Sequence, residues 1–397
     1  MRKAAYVIAG AGVAGVSAAA AIRELDREGE ILLADGEGDL PYARPMLTKR
    51  PLASFDRCDI PLHDEGWYRE QRITLLRGAR VEGLDAAAKT VRVGGETIEY
   101  GRCILATGAS NFVPPFAGKD LPGLCTIRTK DDIRLIKAAA LLGRRCVIIG
   151  GGVIGLECAF ELCRYGLEVT VLEAMPYLMP RQLDEETSRA FQSQVRDFAI
   201  HTDVKIEALE GTEAVSAVRL ADGRRFPCDF VVVACGVRAN VSLAREAGIA
   251  VERAIVVNER METSAPAVFA CGDCAQYQGV NAALWSQGME QGRVAGINAA
   301  GGSAAYTGCD MSLVLNSRRI ALFALGDLGQ NAAGDDSYSI EVSRGAGKDR
   351  LYVNPRSGSF YEKKVYRDGK LVGAALIGNL AAMYGLKEEI LGKGAKG

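Results

Sequence analysis

The sequence predicts an α/β protein with two parallel-sheet units, β-meander insertions and a small α+β domain at its C-terminal end. A strand, a glycine turn and an apolar helix occur twice, as YVIAGAGVAGVSAAAAIREL from residue 6 and CVIIGGGVIGLECAFELCRYG from residue 146. Each copy leads into a second apolar strand, EILLAD and then EVTVLE. Because βαβ units build parallel sheets, the repetition predicts two nucleotide-binding domains.

The stretches between and after the two copies predict antiparallel structure. Residues 91–105 and 204–234 alternate apolar and polar residues between turn signals, as a meander does. From about residue 306 the chain changes character. YEKKVYRDGKLVGAALIG predicts a β-hairpin that turns at Asp368-Gly369, and NLAAMYGLKEEILGKG predicts a closing helix. We therefore place one domain at 1–112 with 242–305, a second at 113–241 and an α+β domain at 306–397.

Composition favours an ordinary globular protein of more than one domain. The chain has 397 residues, a mean hydropathy of +0.05, a formal net charge of −1 and a pI near 6.3. These totals give no indication of a nucleic-acid or membrane partner, and no apolar run reaches the length of a membrane helix. The apolar N-terminal stretch is short and leads straight into a glycine turn, so we expect no signal peptide.

Eleven cysteines raise the alternatives of disulfides and metal. Most of them lie inside apolar strands or helices, as Cys103, Cys146, Cys228 and Cys235 do, where cysteine behaves as a small hydrophobic residue. Free thiols in this number are typical of a reducing compartment, so we expect a cytoplasmic protein.

The first glycine turn fits the pattern G-x-G-x-x-G, with Gly10, Gly12 and Gly15. The first glycine permits the turn, the second lets the backbone approach a pyrophosphate, and the third lets helix and strand pack closely. An acid at the end of the next strand binds a ribose hydroxyl in such Rossmann-like units. Asp35 stands at that point, and Glu37 is an alternative.

The second turn carries Gly150, Gly152 and Gly155, and Glu173 ends its second strand. A carboxylate there accepts a hydrogen bond from an adenosine 2′-hydroxyl and repels a 2′-phosphate, so this site should prefer NADH to NADPH. The nearest downstream arginine, Arg181, is eight residues further on.

Three further motifs make the chain resemble the flavoprotein reductases with two dinucleotide-binding domains. They are ILATGAS (104–110), VVVACGVRAN (231–240) and VFACGDCAQ (268–276). The resemblance covers essentially the whole chain and implies FAD in the first domain and NADH in the second. The implied FAD residues are Gly10, Gly12, Val13, Ala14, Gly15, Asp35, Glu37, Arg44, Pro45, Lys49, Ala106, Thr107, Gly108, Gly272, Asp273 and Trp285. The implied NAD residues are Gly150, Gly152, Val153, Ile154, Gly155, Glu173, Cys235 and Gly236.

Two segments point to one branch of that family. NAALWSQGMEQGRVAGINAAGG and the short C-terminal domain resemble NADH:rubredoxin oxidoreductases and the flavin domain of assimilatory nitrite reductases. LPYARPMLTK resembles the flavin loop of ferredoxin reductases, in which the arginine contacts FAD and the lysine approaches flavin N5. The resemblance thus implies that Arg44 contacts FAD and that Lys49 forms an ion pair with Glu157 beside the flavin. A fixed cation and the start of a helix near Leu284 would stabilise the negative charge of reduced flavin.

Several cysteines match redox or metal patterns by spacing alone. Cys158 and Cys163 lie five residues apart on one predicted helix and point about 140° from each other, so we interpret both as core residues. Cys271 and Cys274 form a single C-x-x-C in a chain with two histidines, which is too few ligands for a zinc site. Relatives with a redox cysteine carry it on the loop that reads PYARPMLTK here, and Cys58 is the one candidate for a displaced equivalent.

We expect an FAD enzyme that takes hydride from NADH and passes single electrons to rubredoxin, ferredoxin or an iron–sulfur subunit. A basic face formed by Arg318-Arg319 with Lys363, Lys364 and Arg367 could dock such an acidic carrier, and a solvated edge strand is the alternative explanation of these charges. The alternatives for the whole chain are an NADH oxidase or coenzyme A disulfide-type reductase that uses Cys58, and the flavin subunit of a larger redox complex. The sequence leaves the oligomeric state open.

Overall fold

The structure is a computed structural model that describes residues 2–49, 60–317, 319–346 and 359–392. The chain divides into two compact units. The first comprises Met1–Met46, Ser54–Asn111 and Val237–Asp310, and the second comprises Leu47–Ala53, Phe112–Gly236 and Met311–Gly397.

The described helices are short to medium in length, and two brief 3₁₀ turns occur at Arg44–Leu47 and Gly272–Cys274. The α-helices are α1 (Val13–Leu25), α2 (Glu65–Glu70), α3 (Lys130–Leu142), α4 (Val153–Arg164), α5 (Glu185–Gln192), α6 (Ser242–Glu246), α7 (Trp285–Ala299) and α8 (Met383–Ile390). Within the described ranges, no helix has the length and apolar character needed to cross a membrane.

Strands make up the rest of the regular structure. In the first half of the chain they are β1 (Arg2–Ala9), β2 (Ile31–Ala34), β3 (Ile73–Leu76), β4 (Val81–Asp85), β5 (Thr90–Val93), β6 (Glu96–Leu105), β7 (Ala109–Asn111), β8 (Leu124–Thr126), β9 (Arg145–Ile149), β10 (Glu168–Leu172) and β11 (Ala199–His201). The later strands are β12 (Ile206–Glu210), β13 (Ala217–Leu220), β14 (Arg225–Pro227), β15 (Phe230–Val233), β16 (Val237–Ala239), β17 (Ile255–Val257), β18 (Val268–Ala270), β19 (Ala275–Tyr277), β20 (Leu313–Asn316), β21 (Ala321–Gly326), β22 (Tyr338–Ala346), β23 (Ser359–Arg367) and β24 (Lys370–Ile377).

The first unit is built on a seven-stranded sheet. Its strands β3, β2, β1, β6 and β18 are parallel, and β5 and β4 extend the sheet with antiparallel pairing. The predicted meander over 91–105 is present where β5 pairs with β6, but it is wrong for the other pairings of β6, which are parallel and join it to β1 and β18. The strands β2 and β18 and the carboxyl-terminal ends of β1 and β6 are apolar and buried, as is typical of parallel strands covered on both faces. Helices α1 and α7 pack at small residues: a Cβ added at Gly292 would overlap the carbonyl oxygen of Ala14, and one at Gly296 would overlap that of Ala18.

The second unit contains a five-stranded parallel sheet in the order β11-β10-β9-β15-β8, with the three-stranded meander β12-β13-β14 beside it in the chain. The predicted meander over 204–234 is therefore wrong at its end. Residues Phe230–Val233 are fully buried and pair in parallel with β9 and β8. An unbroken FVVV run buries both faces, so the strand belongs inside a sheet and not at a half-exposed meander edge.

A separate antiparallel sheet, in the order β20-β21-β24-β23-β22, occupies the C-terminal part and packs against α8. The predicted hairpin is confirmed: β23 and β24 are joined at Asp368 and Gly369, whose φ angles of 50° and 71° suit a tight two-residue turn. This sheet lies in the same compact unit as residues 112–236. The separate domain at 306–397 stays a prediction.

The chain leaves the first unit after β7 and returns to it at β16. These two strands form an antiparallel ladder in which Asn111 is opposite Val237. Just beyond the ladder, the backbone N–H of Phe112 donates to the carbonyl of Gly236 at 2.9 Å. The segment 112–236 therefore begins and ends at positions that are neighbours in space.

Candidate functional site

The glycine turn between β1 and α1 has the shape that a pyrophosphate requires. Gly10 has a φ of 112°, and a Cβ there would overlap the carbonyl of Ala106. A Cβ at Gly15 would overlap the carbonyl of Gly10, which shows how closely the helix approaches the strand. At Gly12, by contrast, an added Cβ would meet nothing within 4 Å. The second glycine therefore faces open space that a ligand could fill.

Helix α1 begins at this turn without a side-chain cap. Gly12 is its N-cap residue, and the first helical turn contains Val13 and Ala14. The first N–H groups of a helix have no intrahelical partner, and the helix dipole adds positive potential there. The residues present therefore fit the phosphate end of a dinucleotide.

The two acids after β2 have different environments. Glu37 accepts hydrogen bonds from Arg44 at 2.6 Å and from the hydroxyl of Tyr42 at 2.7 Å. The Asp35 carboxylate accepts the backbone N–H of Glu37 at 3.3 Å, and burial raises its pKa to about 6. Glu37 and Arg44 thus neutralise each other, and Asp35 is the better placed of the two predicted ribose acceptors. Pro45 follows Arg44 in the 3₁₀ turn.

The loop after β6 carries Ala106, Thr107 and Gly108. Gly108 has a φ of 67°, and the Thr107 hydroxyl donates to the carbonyl of Asn240 at 2.8 Å. The Asn240 side chain donates back to the carbonyl of Thr107 at 2.8 Å. Thr107 is therefore fixed within the first unit by a reciprocal pair of hydrogen bonds.

Two side-chain amides, of which Gln291 is buried, fix the turn that contains Gly272 and Asp273. Gln291 of α7 accepts the backbone N–H of Gly272 at 2.9 Å, and Asn281 donates to the carbonyl of Asp273 at 2.8 Å. Trp285 is the first residue of α7, whose start has no side-chain cap. The sequence interpretation missed Gln291 and Asn281. The spacing of Gln287 and Gln291 on one buried helix face was the available signal, since polar residues so buried need partners.

In the second unit, the turn between β9 and α4 repeats the first one. Gly150 has a φ of 115°, and a Cβ at Gly155 would overlap the carbonyl of Gly150. Gly152 faces open space and is the uncapped N-cap residue of α4. The first residues of α4, Val153 and Ile154, follow directly.

The acid of this second turn is held by the backbone. Glu173 accepts the N–H of Gly151 at 2.6 Å and that of Met175 at 2.8 Å. On the other side of the strand ends, the thiol of Cys235 donates to the carbonyl of Ile149 at 3.4 Å, and Gly236 has a φ of 91°. The carboxylate therefore stays at the carboxyl edge of the parallel sheet, where nucleotide ligands of such sheets bind.

Lys49 and Glu157 lie together in the second unit. The Lys49 Nζ is 3.8 Å from Glu157 Oε1, and the Glu157 side chain is 6% exposed. Glu157 Oε2 accepts the hydroxyl of Thr48 at 2.5 Å. The predicted ion pair is therefore present in the structure, and its catalytic role stays a prediction.

The cysteine interpretations can be checked at most positions. Cys158 and Cys163 are free thiols on α4, and Cys271 and Cys274 are buried free thiols. Burial raises the pKa of Cys158 and of Cys163 to about 12, so neither is a ready thiolate. Across the described residues, no cluster of three His, Cys, Asp or Glu side chains could hold a metal ion. Cys58 lies outside the described residues.

The predicted basic docking face needs a correction. Lys363 is 3% exposed and forms ion pairs with Asp184 at 2.8 Å and Glu186 at 3.3 Å. A buried, doubly paired lysine cannot meet a partner protein, so its inclusion was wrong. Arg319 is half exposed but pairs with Asp197, and Arg318 lies outside the described residues. The remaining members, Lys364 and Arg367, lie near Glu362 and Asp335 respectively.

Two glycine turns at the carboxyl edges of two parallel sheets define a protein that binds two dinucleotides. The chain belongs to the pyridine nucleotide-disulphide oxidoreductase family, whose model matches residues 4–314. This membership confirms the predicted α/β fold with two dinucleotide-binding sheets and the predicted flavoprotein oxidoreductase class, with FAD and NADH as cofactors.

Relatives that are similar along most of this chain include a nitrite reductase and an NADH oxidase. It is 32% identical over 384 residues to a nitrite reductase [NAD(P)H] of Bacillus subtilis, which covers 96% of this chain and 46% of that protein. It is 33% identical to an NADH oxidase of Methanocaldococcus jannaschii, over 94% of this chain and 87% of the oxidase. The chain thus spans about half the length of the nitrite reductase and most of the oxidase.

A solved structure agrees with the fold. The ferredoxin reductase for the CYP199A2 system from Rhodopseudomonas palustris is similar with a TM-score of 0.81 and 28% identity, over 97% of this chain and 93% of that one. Rubredoxin reductases and further ferredoxin reductases are also among the matched proteins, as the sequence resemblance implied.

Proposed function

We propose that this chain takes hydride from NADH onto bound FAD and passes the electrons singly to a small iron–sulfur or rubredoxin-type carrier protein. The observation that carries the proposal is the loop Pro41–Lys49, which contributes Lys49 to an ion pair with Glu157 and contains no cysteine. Without a cysteine on this loop to take the electron pair, the bound flavin would pass its electrons directly to an external acceptor, and a one-electron carrier protein is the acceptor that we propose.

The first unit would hold FAD through its own groups. The uncapped start of α1 binds the pyrophosphate, Asp35 accepts from a ribose hydroxyl, and the turn at Gly272-Asp273 meets the ribityl chain. FAD supplies the conversion of a two-electron donor into single-electron steps when it is bound. The side chains Gln291 and Asn281 keep the Gly272-Asp273 turn in place.

The second unit would hold NADH. The uncapped start of α4 binds the pyrophosphate, and Glu173 at the end of β10 accepts from the adenosine ribose. A 2′-phosphate would bring negative charge to the same carboxylate, so NADPH binds more weakly. Glu173→Gln should therefore reduce the preference for NADH over NADPH, measured as the ratio of kcat/KM for the two cofactors, and an unchanged ratio would contradict this role.

Lys49 is the cation of the site. Glu157 keeps this ammonium group in place from a buried position, 3.8 Å away. A fixed positive charge stabilises negative charge that develops on a neighbouring group during hydride transfer. Lys49→Gln removes the charge and keeps a polar side chain of similar reach.

An electron carrier is the proposed partner, and the cytoplasm is the proposed location. The ferredoxin reductase similarity and the sequence resemblance to NADH:rubredoxin oxidoreductases support the partner class. The described cysteines are all free thiols, which favours a reducing compartment.

The test is anaerobic reduction of the purified yellow protein by NADH in a stopped-flow instrument, followed by titration with ferredoxin or rubredoxin. We expect rapid bleaching of the flavin absorbance, then reoxidation in step with reduction of the carrier. Lys49→Gln should slow the bleaching about 10- to 100-fold, with Lys364→Gln as a matched control that leaves it unchanged. A reduced flavin that no carrier reoxidises would overturn the proposal.

A second candidate function is favoured by the similarity to an NADH oxidase. In that case the acceptor is a small molecule, oxygen or a disulfide, and Cys58 is the candidate redox cysteine. Cys58→Ser separates the two: loss of NADH turnover with oxygen or a disulfide supports the second function, and unchanged turnover excludes this cysteine.

A third candidate function, a flavin subunit of a larger redox complex, is favoured by the nitrite reductase, of which this chain spans less than half. Copurification with neighbouring subunits and weak turnover alone would support it. Rapid steady-state turnover by the isolated chain would count against it.

A further inference from the structure

Thr48 is the side chain closest to Glu157 in the Lys49 loop. Its hydroxyl donates to Glu157 Oε2 at 2.5 Å, whereas the Lys49 Nζ lies 3.8 Å from the other oxygen, Oε1. Oε1 is buried and accepts no hydrogen bond from the described part of the chain. The carboxylate is therefore held by its threonine neighbour at hydrogen-bond distance and by the lysine only at ion-pair distance.

The electrostatic balance at Glu157 depends on this hydroxyl. Burial raises the pKa of Glu157, and the Thr48 hydrogen bond lowers it ahead of the charge of Lys49. Hydrogen bonds to a charged acceptor are stronger than those between neutral groups. Without the hydroxyl, a nearly buried carboxyl would face one partly exposed ammonium group as its stabilising partner.

Other charges near helix α4 are too distant or too exposed to replace the hydroxyl. The strands β9 and β10 carry Arg145 and Glu168 at their amino ends, which is the far end of the sheet from the start of α4. The third strand packed on this helix, β20, reads LVLN and has no charged residue. On α4 itself, Glu161 is one turn further along and pairs with Arg164 at 2.7 Å.

We propose that Thr48 is a positioning residue that keeps Glu157 ionised and turns its second oxygen toward Lys49. Serine carries a hydroxyl on the same carbon and can make the same hydrogen bond to the carboxylate, whereas valine cannot. The proposal rests on the proposed function in one respect: the Lys49–Glu157 pair must matter for reduction of the flavin. It assigns Thr48 no contact with substrate or cofactor.

The test compares Thr48→Val, which has the same shape without the hydroxyl, with Thr48→Ser, which keeps the hydroxyl. In the apoprotein, the protonation of Glu157 is followed against pH by infrared difference spectroscopy, each protein minus its own Glu157→Gln counterpart. Thr48→Val should raise the proton affinity of Glu157 about 10- to 100-fold, or about one to two pH units, whereas Thr48→Ser should stay close to the wild type. Thr48→Ala provides the same comparison if the valine variant does not fold.

A second measurement uses the holoprotein. The acid limb of the pH profile for flavin reduction by NADH should move to higher pH in Thr48→Val and return in Thr48→Ser. In a Glu157→Gln background, Thr48→Val should have no further effect on this profile. The proposal is overturned if the infrared titration midpoint of Glu157 in Thr48→Val and Thr48→Ala equals that of the wild type. It is also overturned if Thr48→Ser shifts this midpoint as far as Thr48→Val does.

The two measurements separate this proposal from the proposed function. The infrared titration needs neither NADH nor an acceptor, so it can succeed when no carrier protein is reduced. Conversely, the wild type can reduce a carrier protein even if the titration midpoint of Glu157 is the same with and without the Thr48 hydroxyl.

Discussion

Replacing Asp35 with asparagine should remove a pH dependence from FAD binding. Asp35 directly follows β2 in the first unit, and burial raises its pKa to about 6. The neighbouring charge of Glu37 raises it further, whereas Arg44 lowers it. A ribose hydroxyl donates best to the ionised carboxylate, so FAD should favour the deprotonated form.

The magnitude follows from the fraction of Asp35 that is ionised. With a pKa of about 6, roughly one tenth is ionised at pH 5 and roughly nine tenths at pH 7. If the ionised form binds, FAD affinity rises about tenfold over this range, which corresponds to about 1.4 kcal/mol. Asp35→Asn has no titrating group at this position, so its affinity for FAD should not show this tenfold rise between pH 5 and pH 7.

The stability of the apoprotein should change in the opposite sense. A carboxyl with a raised folded-state pKa contributes stability that is fully present below its ordinary pKa of about 3.8, and this contribution is lost as the pH rises through about 6. The wild type should therefore lose up to about 3 kcal/mol relative to Asp35→Asn between pH 4 and pH 7.

The assay is a calorimetric titration of apoprotein with FAD at pH 5, 6 and 7. Glu173→Gln serves as the control, since it changes the equivalent acid of the second unit and should keep the wild-type slope. A wild-type affinity that does not change with pH, or an equal slope in Asp35→Asn, would refute the reasoning.

Two further substitutions test the packing of each unit by urea denaturation. Gly292→Ala should lower the free energy of unfolding of the first unit by about 1–3 kcal/mol, because the added methyl group overlaps the carbonyl of Ala14. Gly38→Ala is the control, since its methyl group meets nothing within 4 Å and should have little effect. Equal effects of the two substitutions would contradict the close contact between α1 and α7. Lys363→Met should cost about 3–5 kcal/mol because it leaves the largely buried carboxylate of Asp184 without its cation, although Glu186 keeps its ion pair with Arg344. Lys364→Met, at a partly exposed ion pair, should cost about 0–1 kcal/mol, and a similar loss for both would refute the distinction.

Much of the fold could be predicted because local chemistry determines it. The glycines at 10 and 150 adopt a backbone conformation that other residues rarely reach, so the sequence marks both turns directly. The Asp368-Gly369 turn was predicted for the same reason. The strand Phe230–Val233 was assigned to a meander because its length and apolar character do not tell which strands lie beside it.

The site was predictable where residues are close in sequence or where the family resemblance supplied a partner. The Lys49–Glu157 pair came from the resemblance, since no local pattern joins residues so far apart in the chain. Thr48 was missed because a threonine in a polar loop gives no signal of its distant acceptor. Lys363 was misassigned for a similar reason: alternation along a strand predicts which residues share a face, but not that acids from α5 cover that face.

The antiparallel ladder of β7 and β16 has a consequence for the length of the segment that it closes. Because Asn111 and Val237 are opposite each other, a segment of any length can be inserted between them while the ribbon that holds its ends stays the same. The loop-closure cost grows only slowly with the length of that segment. The ladder therefore sets no fixed length for residues 112–236, and the strand order of the host sheet need not change when that length changes.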